Sequence, residues 1–248
     1  MLIVLPPSEG KASEGSGPPV GQLSFSSLDK PRKRVQTALI RASKRRDALE
    51  VLGLSPGLAG ELAKNTALPA APTLPAAELY TGVLYDNLGL DTLDPAARAR
   101  AAESVLIFSG LWGVVRITDR IPPYRLSMGV NLSPVGGLAA FWRPQISKAL
   151  DTLPGLVVDL RSATYAAAWQ PGERSVTVRV FRDGKVVSHM AKATRGEIAR
   201  ALLHQDATPA TPDELAKILD ALGYIVTLTP PARANRPWTL DVHVNDPT

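Results

Sequence analysis

The chain has 248 residues, of which 45% are hydrophobic and 21% are charged, a composition typical of a folded protein with a substantial core. It contains no cysteine, which excludes thiol chemistry, cysteine-ligated zinc and iron–sulfur clusters on its own side chains. Lysine and arginine total 28 against 23 acidic residues, and this formal charge of +5 suggests a polyanionic partner such as nucleic acid.

The first residues predict a strand rather than a targeting segment. The apolar run Leu2–Leu5 is too short for a secretory signal, and neither a basic flank nor a cleavage pattern accompanies it. No stretch approaches the roughly 20 apolar residues that a membrane-spanning helix requires. We therefore expect a cytoplasmic protein without a membrane partner.

Seven strands are predicted along the chain. They are Leu2–Leu5, Val105–Phe108, Leu156–Leu160, Ser175–Phe181, Lys185–Met190, Ile225–Leu228 and Thr239–Val244. The first three are continuous apolar runs, which are typical of parallel strands buried on both faces, whereas the others alternate. The Asp-Gly pair within residues 182–185 predicts a hairpin turn between the fourth and fifth strands, because it tolerates positive φ.

Helix signals lie between these strands, and they predict helices over residues 30–51, 96–102, 141–150, 195–204 and 212–222. The last two follow capping boxes that begin at Thr194 and Thr211, and Gly223 can end the last helix. Pro144 is tolerable if it falls in the first turn of its helix. Because no linker divides the chain, we expect one compact mixed α/β domain over 1–248, with a partly parallel central sheet flanked by helices.

The predicted helix near residue 30 carries most of the positive charge. Eight cations and one acid lie between residues 29 and 46, a local charge of +7, and the rest of the chain then has 20 basic and 22 acidic residues. Helical periodicity places an apolar stripe on one face. The opposite face carries Lys33, Arg34, Arg41, Lys44 and Arg45. This pattern fits either a solvated helix face or a surface that contacts the phosphates of duplex DNA.

A glycine-containing turn follows the basic helix. Gly53 ends the helix, and Ser55 with Pro56 is predicted to start another helix near Gly57. Residues 29–64 therefore resemble the helix-hairpin-helix element used for non-specific DNA binding. The same pattern also occurs where ordinary helices end.

Polar loops follow three of the apolar strands, at residues 6–11, 109–113 and 159–165, and residues 116–129 add three arginines. The carboxyl ends of strands in an open α/β sheet converge on one crevice, where such loops bind ligands. The predicted anion-binding cleft comprises Ser8, Lys11, Tyr80, Ser109, Gly110, Arg116, Tyr124, Arg125, Asp159 and Ser162. No phosphate-loop spacing and no Ser-His-acid order is present, so catalysis stays an open question.

Two of these residues have alternative interpretations. Lys11 is either an anion ligand, a catalytic lysine or a solvated loop residue. Arg125 is flanked by apolar residues and is predicted to be partly buried, which requires a carboxylate or phosphate partner. Its alternative role is a structural salt bridge to Asp119, Asp159 or Glu9.

The remaining aromatic and histidine residues give weaker signals. Tyr80 and Tyr124 could stack on a base or cap the core, whereas core positions are the safer prediction for Tyr165 and Trp142. The histidines are His189, His204 and His243. None lies at metal-ligand spacing from another histidine or an acid, so we predict neither a metal site nor a cofactor.

Six motifs occur in a fixed order along the first 200 residues. They are PPSEGK at 6–11, YTG at 80–82, FSGLWG at 108–113, PYRLSMG at 123–129, FW at 141–142 and DLRSATY at 159–165. In order and spacing they resemble the YaaA family of bacterial peroxide-stress proteins, and the long PYRLSMG string is the most specific of them. Trp112, Asp159, Arg161 and Thr164 depart from the family pattern. The acid missing at 164 argues against carboxylate-dependent chemistry or metal binding there.

The resemblance implies a YaaA-like mixed α/β fold and a role in the response to hydrogen peroxide. It also implies a link to limiting unincorporated iron and non-specific DNA binding. The alternative hypothesis is an enzyme or small-ligand binder that acts on a phosphate- or nucleotide-containing molecule in the strand-end cleft. A structural domain without a ligand site is the third option.

Overall fold

A central sheet is the framework of the fold in the computed structural model, which describes residues 1–182, 185–186, 188–206 and 208–244. The strands in this part of the chain are β1 (Leu2–Leu5), β2 (Leu74–Pro75), β3 (Val105–Ser109), β4 (Gly113–Arg116), β5 (Arg120–Ile121), β6 (Asn131–Leu132), β7 (Gly136–Gly137), β8 (Val157–Asp159), β9 (Ser175–Arg182), β10 (Lys185–Val186), β11 (Ile225–Thr229) and β12 (Trp238–His243). The helices are α1 (Asp29–Ser43), α2 (Ala48–Leu52), α3 (Glu61–Ala67), α4 (Ala76–Leu79), α5 (Val83–Leu88), α6 (Pro95–Ser104), α7 (Leu138–Leu150), α8 (Ala163–Ala166), α9 (Ser188–Leu203) and α10 (Pro212–Ala221).

The central sheet has the strand order β11-β12-β9-β8-β1-β3-β4, and β10 pairs with β9. Five neighbouring strands, from β12 to β3, are parallel, whereas β11, β4 and β10 pair antiparallel with their neighbours. The predicted mixed, partly parallel sheet is therefore confirmed. Because parallel strands share a direction, the loops that follow β1, β3 and β8 emerge at the same edge of the sheet.

The core forms on both faces of the sheet, where β1 is fully buried between β8 and β3. Trp142 of α7 is fully buried as predicted, and its Nε1 donates a hydrogen bond to the carbonyl of Gly110 at 2.8 Å. Gly113 lies against the same ring with φ of 73°, and a Cβ there would come within 2.8 Å of the indole. Close packing on Trp142 thus explains the glycine at 113.

The capping signals succeed at one helix and fail at another. Thr211 caps α10, since its Oγ accepts a hydrogen bond from the backbone N–H of Glu214 at 3.2 Å. The predicted start at Thr194 is wrong, because α9 begins at Ser188 and Thr194 is buried within it. This helix packs closely against α5, since a Cβ at Gly196 would overlap the carbonyl oxygen of Leu84.

The strand predicted over residues 185–190 is shorter in the structure, because β10 ends at Val186 and α9 begins at Ser188. The antiparallel pairing of β9 with β10 agrees with the expected hairpin. Its Asp-Gly turn at 183–184 lies outside the described residues. Pro144 also departs from expectation, because α7 begins at Leu138 and the proline lies inside the helix.

The long helix predicted over residues 30–51 is divided into α1 and α2. Ser43, at the end of α1, is buried and accepts a hydrogen bond from Asn65 at 3.1 Å. Ala48 and Leu52 of α2 are also buried, so the chain redirects after Ser43 to place a second apolar stripe against the core. None of the described helices combines the length and the apolar character that crossing a bilayer requires.

Candidate functional site

A cleft of about 520 Å³ opens at the edge of the sheet where the parallel strands end. Its walls are the loop after β1, the start of α5, the segment 125–127, Ser162 and Tyr165 beyond β8, and one face of α9. Four residues predicted for the cleft, Ser8, Lys11, Arg125 and Ser162, line it together. The sheet topology therefore brings polar loops from distant parts of the sequence to one place.

The cleft is cationic. Four basic side chains, of Lys11, Arg125, Lys192 and Arg195, face one carboxylate, that of Glu9, among the described residues that line it. The sequence analysis missed Lys192 and Arg195, because the helix predicted there starts at residue 195 and leaves Lys192 outside it. In the structure α9 starts at Ser188, so the spacing of three residues places Lys192 and Arg195 on the same face of one helix.

Lys11 is held at the floor of the cleft. An isolated β-bridge between Lys11 and Tyr80 fixes its backbone, and its Nζ donates a hydrogen bond to the carbonyl of Ser8 at 2.7 Å. The same nitrogen lies 4.7 Å from the ring centroid of Tyr124 and 5.5 Å from that of Tyr80. Burial, helped by the positive charge of Arg125, lowers the pKa of Lys11 to about 7.

A chain of hydroxyl groups lies beneath Lys11. The Tyr80 and Tyr124 hydroxyls are 2.9 Å apart, and Ser109 Oγ lies 2.6 Å from the Tyr124 hydroxyl. Ser109 Oγ already accepts backbone N–H groups of Leu111 and Trp112, so its own proton is donated to Tyr124. Burial raises the pKa of both tyrosines, which stay neutral. Ser109, Tyr80 and Tyr124 thus support the cleft floor instead of lining it.

Arg125 is half-buried and is positioned from both sides of its backbone. Its N–H donates to Asn65 Oδ1 at 2.8 Å, and Asn65 Nδ2 donates to its carbonyl at 3.0 Å. Of the three carboxylates considered as partners, Glu9 is the one found, with Arg125 Nη2 and Glu9 Oε2 3.4 Å apart. Glu9 is 86% exposed, so this contact is weak and solvent-screened, and an incoming anion can replace it.

Arg116 lies away from the cleft, and its assignment to the anion site is wrong. The tight hairpin between β3 and β4 pairs Ser109 with Gly113 and returns the chain, so that Arg116 faces Leu106 at the start of β3. Its guanidinium donates to the carbonyls of Ala102 and Glu103. Arg116 therefore lies at the opposite edge of the sheet.

Gly110 and Asp159 are next to the cleft but serve the scaffold. A Cβ at Gly110 would lie 2.9 Å from the carbonyl of Leu126, so glycine permits close packing of two loops. Asp159 is buried and forms a bidentate pair with Arg161, with distances of 2.8 and 2.6 Å. The guanidinium of Arg161 also lies 4.2 Å from the ring centroid of Phe108. These residues hold the loop that carries Ser162.

A second cationic surface is the outer face of α1 and the turn after it. The side chains predicted for DNA contact, of Lys33, Arg34, Arg41, Lys44 and Arg45, are all exposed, and the apolar stripe on the opposite face is buried. Arg32 differs from its neighbours. It is buried, and it donates to the carbonyls of Trp112 and Val114 at 3.0 and 2.8 Å. Arg32 thus anchors α1 to the sheet instead of facing a ligand.

Part of this surface is concave. A groove of about 390 Å³ lies between α1 and residues 134–135, and Lys30, Lys33, Arg34 and Arg41 line it. Arg45, beyond the groove, pairs with Asp47, with Arg45 Nη2 and Asp47 Oδ2 2.6 Å apart. Both members of that pair are exposed, so solvent screens it.

The glycine turn differs from the predicted helix-hairpin-helix in one respect. Gly53 ends α2 with φ of 64°, but Pro56 begins only a short 3₁₀ turn, and α3 starts later, at Glu61. Gly53 and Gly57 are exposed, and no atom lies within 4 Å of the position that a Cβ would occupy at either. The backbone there is open to a partner, although the second helix does not start at Ser55 and Pro56.

The two histidine side chains that the structure describes, those of His204 and His243, line neither the cleft nor the α1 groove. His204 Nδ1 lies 3.1 Å from Asp94 Oδ2, and the His243 ring stacks on Phe181. The side chain of His189 lies outside the described part of the structure. Within the described residues, no group of three or more His, Asp or Glu side chains is arranged to hold a metal ion.

Comparison with known proteins gives one consistent result. A family model described as "Peroxide stress protein YaaA" matches residues 1–228. A UPF0246 protein of Streptomyces coelicolor is 53% identical, over 99% of this chain and 99% of its own length. UPF0246 proteins of Corynebacterium efficiens and Corynebacterium glutamicum are 45% and 43% identical, over 92% and 93% of this chain and 95% and 96% of their own lengths.

Proposed function

The chain belongs to the YaaA family of peroxide stress proteins, and we propose that it acts in the oxidative stress response by binding duplex DNA without sequence specificity. The binding surface is the outer face of α1 with the exposed turn at Gly53 and Gly57. One observation carries this proposal: five cations project into solvent from a segment of local charge +7, whereas the rest of the chain is slightly acidic.

Two features of this surface support contact with phosphates. Cations on one helix face and in the adjacent groove can follow a phosphate backbone, while Arg32 and the apolar stripe fix the helix to the core. The segment 29–47 contains only two acids, Asp29 and Asp47. Backbone contacts of this kind carry no sequence information, so unrelated duplexes are expected to bind equally.

The experiment measures duplex affinity of a variant that combines Lys33→Glu, Arg41→Glu and Lys44→Glu. At ~100 mM salt, loss of three phosphate contacts should weaken binding on the order of 100-fold or more. A control that combines Arg98→Glu, Lys148→Glu and Lys217→Glu changes the net charge equally at exposed positions of other helices. Equal loss of affinity in both variants would show that net charge, and not the α1 surface, determines binding.

Limitation of unincorporated iron is part of the same proposal. We expect a strain that lacks this gene to contain more chelatable iron after peroxide treatment, and the wild-type gene to reverse the increase. If the charge-reversed α1 variant restores normal iron fully, the effect on iron does not depend on DNA binding.

A second candidate function is binding of a small phosphate-bearing ligand in the strand-end cleft. Convergence of Lys11, Arg125, Lys192 and Arg195 on one cleft supports it. Calorimetric titration with inorganic phosphate or adenosine 5′-monophosphate tests it. We expect Arg125→Gln to weaken binding about 10-fold or more, because a charge-assisted hydrogen bond is lost. Arg116→Gln, at the opposite edge of the sheet, is the control, and equal effects of the two variants would contradict the assignment.

A further inference from the structure

The cleft contains a primary amine, that of Lys11, and anion binding uses only the charge of its protonated form. We propose that Lys11 is a nucleophile that forms an imine with the aldehyde or ketone group of a small phosphate-bearing compound. This inference rests on the proposed binding of a phosphate-bearing ligand in the same cleft. The amine supplies the reactive nitrogen, and the surrounding cations hold the phosphate.

The contacts around Lys11 hold its amine in a fixed position in the cleft. The bridge to Tyr80 fixes the backbone of Lys11, and the bond to the Ser8 carbonyl occupies one N–H of its amine at 2.7 Å. The rings of Tyr80 and Tyr124 cover another side, with centroids at 5.5 and 4.7 Å from Nζ. Lys11 also lines the cleft, and the proposal requires the remaining side of its nitrogen to face a bound ligand.

The charges around Lys11 favour its neutral, nucleophilic form. Burial is the largest cause of its pKa of about 7, and Arg125 and Lys64 lower the pKa further, while Glu61 and Glu9 oppose them. At this pKa a substantial fraction of the Lys11 amine is unprotonated at pH 7. An exposed lysine with a pKa of about 10.4 has on the order of a thousandfold less free amine. Desolvation beside another cation is an established way to activate a lysine nucleophile.

The substrate class follows from the neighbours of the amine. Arg125 can bind a phosphate bidentately, and Lys192 and Arg195 add positive charge to the lining of the same cleft. In the reaction the Nζ lone pair adds to the carbonyl carbon, and one proton moves from the nitrogen to the carbonyl oxygen to give a carbinolamine. Its hydroxyl takes a second proton from solvent and leaves as water, while the nitrogen lone pair forms the C=N bond of a protonated imine. The step needs no oxidant or reductant.

The test uses glycolaldehyde phosphate as the probe, with sodium cyanoborohydride to reduce the imine to a stable amine. Peptide mass spectrometry then locates the label in the full-length protein. At pH 7 we expect Lys11 to be labelled about tenfold or more faster than the exposed Lys33 and Lys44, because more of its amine is neutral. Its labelling rate should level off above about pH 7.5, once its amine is largely neutral.

Two variants and one competitor complete the experiment. Lys11→Arg keeps a cation but has no primary amine, so the labelled peptide should disappear, whereas Lys64→Arg should leave it unchanged. Inorganic phosphate should slow the labelling of Lys11 and not that of Lys33. The wild-type map of labelled sites does not depend on how well either variant folds.

The outcomes separate this inference from the function on which it rests. If phosphate binds calorimetrically but Lys11 is labelled no faster than exposed lysines, the nucleophile is wrong and the anion site stands. If phosphate does not bind and Lys11 is not labelled preferentially, both are wrong. If glycolaldehyde without phosphate labels Lys11 equally fast, the amine is reactive but its preference for an anionic carbonyl compound is contradicted.

Discussion

The strand-end cleft and the outer face of α1 are both cationic, but they hold their cations differently. In the cleft, Lys11 and Arg125 are partly desolvated and are fixed by hydrogen bonds to Ser8, Glu9 and Asn65. On α1 the cations project into solvent. The same sign of charge therefore fits two kinds of anion: a small ligand of defined shape in the cleft, and an extended polyanion on the helix.

One buried side chain connects the two regions. Asn65 of α3 is completely buried, and it donates to Ser43 at the end of α1 and to the carbonyl of Arg125 beside the cleft. It also accepts the N–H of Arg125. Asn65 thus follows the turn at Gly53 and Gly57 in the chain and positions Arg125 beside the cleft.

The largest expected change in stability follows from breaking the buried ion pair beside the cleft, and breaking the exposed pair near α1 is its control. Asp159→Asn should lower the free energy of unfolding by about 3–5 kcal/mol, because it leaves the buried Arg161 charge uncompensated. Asp47→Asn, which breaks the exposed pair with Arg45 near α1, should leave stability unchanged within error. Urea denaturation measures the free energy of unfolding of both variants. Similar values would contradict the claim that ion pairs are buried beside the cleft and solvated near α1.

A smaller loss of stability is expected at Asn65, which contacts both α1 and the cleft. Asn65→Leu removes three hydrogen bonds and leaves buried partners unsatisfied, which should cost about 2 kcal/mol of stability. Phosphate affinity should fall because Arg125 loses its support, while duplex affinity should persist. The exposed Asn131→Leu is the control for stability. Loss of duplex binding in Asn65→Leu alone would show that the two surfaces depend on each other.

The pH dependence of stability distinguishes Lys11 from an exposed lysine. The pKa of Lys11 is about 7 in the folded protein, whereas in the unfolded chain the amine keeps its proton to about 10. Burial of the charged form therefore costs stability below pH 7, and this cost declines between pH 7 and 10.

Lys11→Met should accordingly stabilise the protein at pH 6, by on the order of 1–3 kcal/mol, and the gain should shrink by pH 10. Lys44→Met, on the exposed surface, is the matched variant and should show no such trend. Denaturant titrations at pH 6, 8 and 10 provide the measurement. A gain for Lys11→Met that does not vary with pH would contradict the lowered pKa.

The smallest expected effect is on anion affinity. Sulfate does not titrate in this range, so its affinity for the cleft should fall severalfold between pH 6 and pH 8.5 as Lys11 loses its charge. In Lys11→Arg the affinity should stay constant, because arginine remains protonated. Isothermal titration calorimetry tests this, and a parallel fall in wild type and variant would assign the titration to another group.

The sequence predicted the parts of this molecule that local pattern determines. Continuous apolar runs identified β1, β3 and β8, and Thr211 marked the start of α10. From these strands followed the edge at which Ser8, Lys11 and Ser162 meet. The apolar and cationic faces of α1 also followed directly from helical periodicity.

The errors come from tertiary contacts that no local pattern reveals. Packing of Gly196 against α5 extends α9 past the capping signal, and this extension brings Lys192 to the cleft. The hairpin at Gly113 sends Arg116 to the far edge of the sheet.

The central claim is that the two cationic regions bind different anions, and one set of titrations tests it directly. Duplex DNA and inorganic phosphate are each titrated into wild type, the triple α1 variant with Lys33→Glu, Arg41→Glu and Lys44→Glu, and Arg125→Gln. We predict that the α1 variant loses duplex affinity and keeps phosphate affinity, and that Arg125→Gln does the reverse. An equal loss of duplex affinity in both variants would contradict the claim and would make cleft and helix parts of one DNA-binding surface.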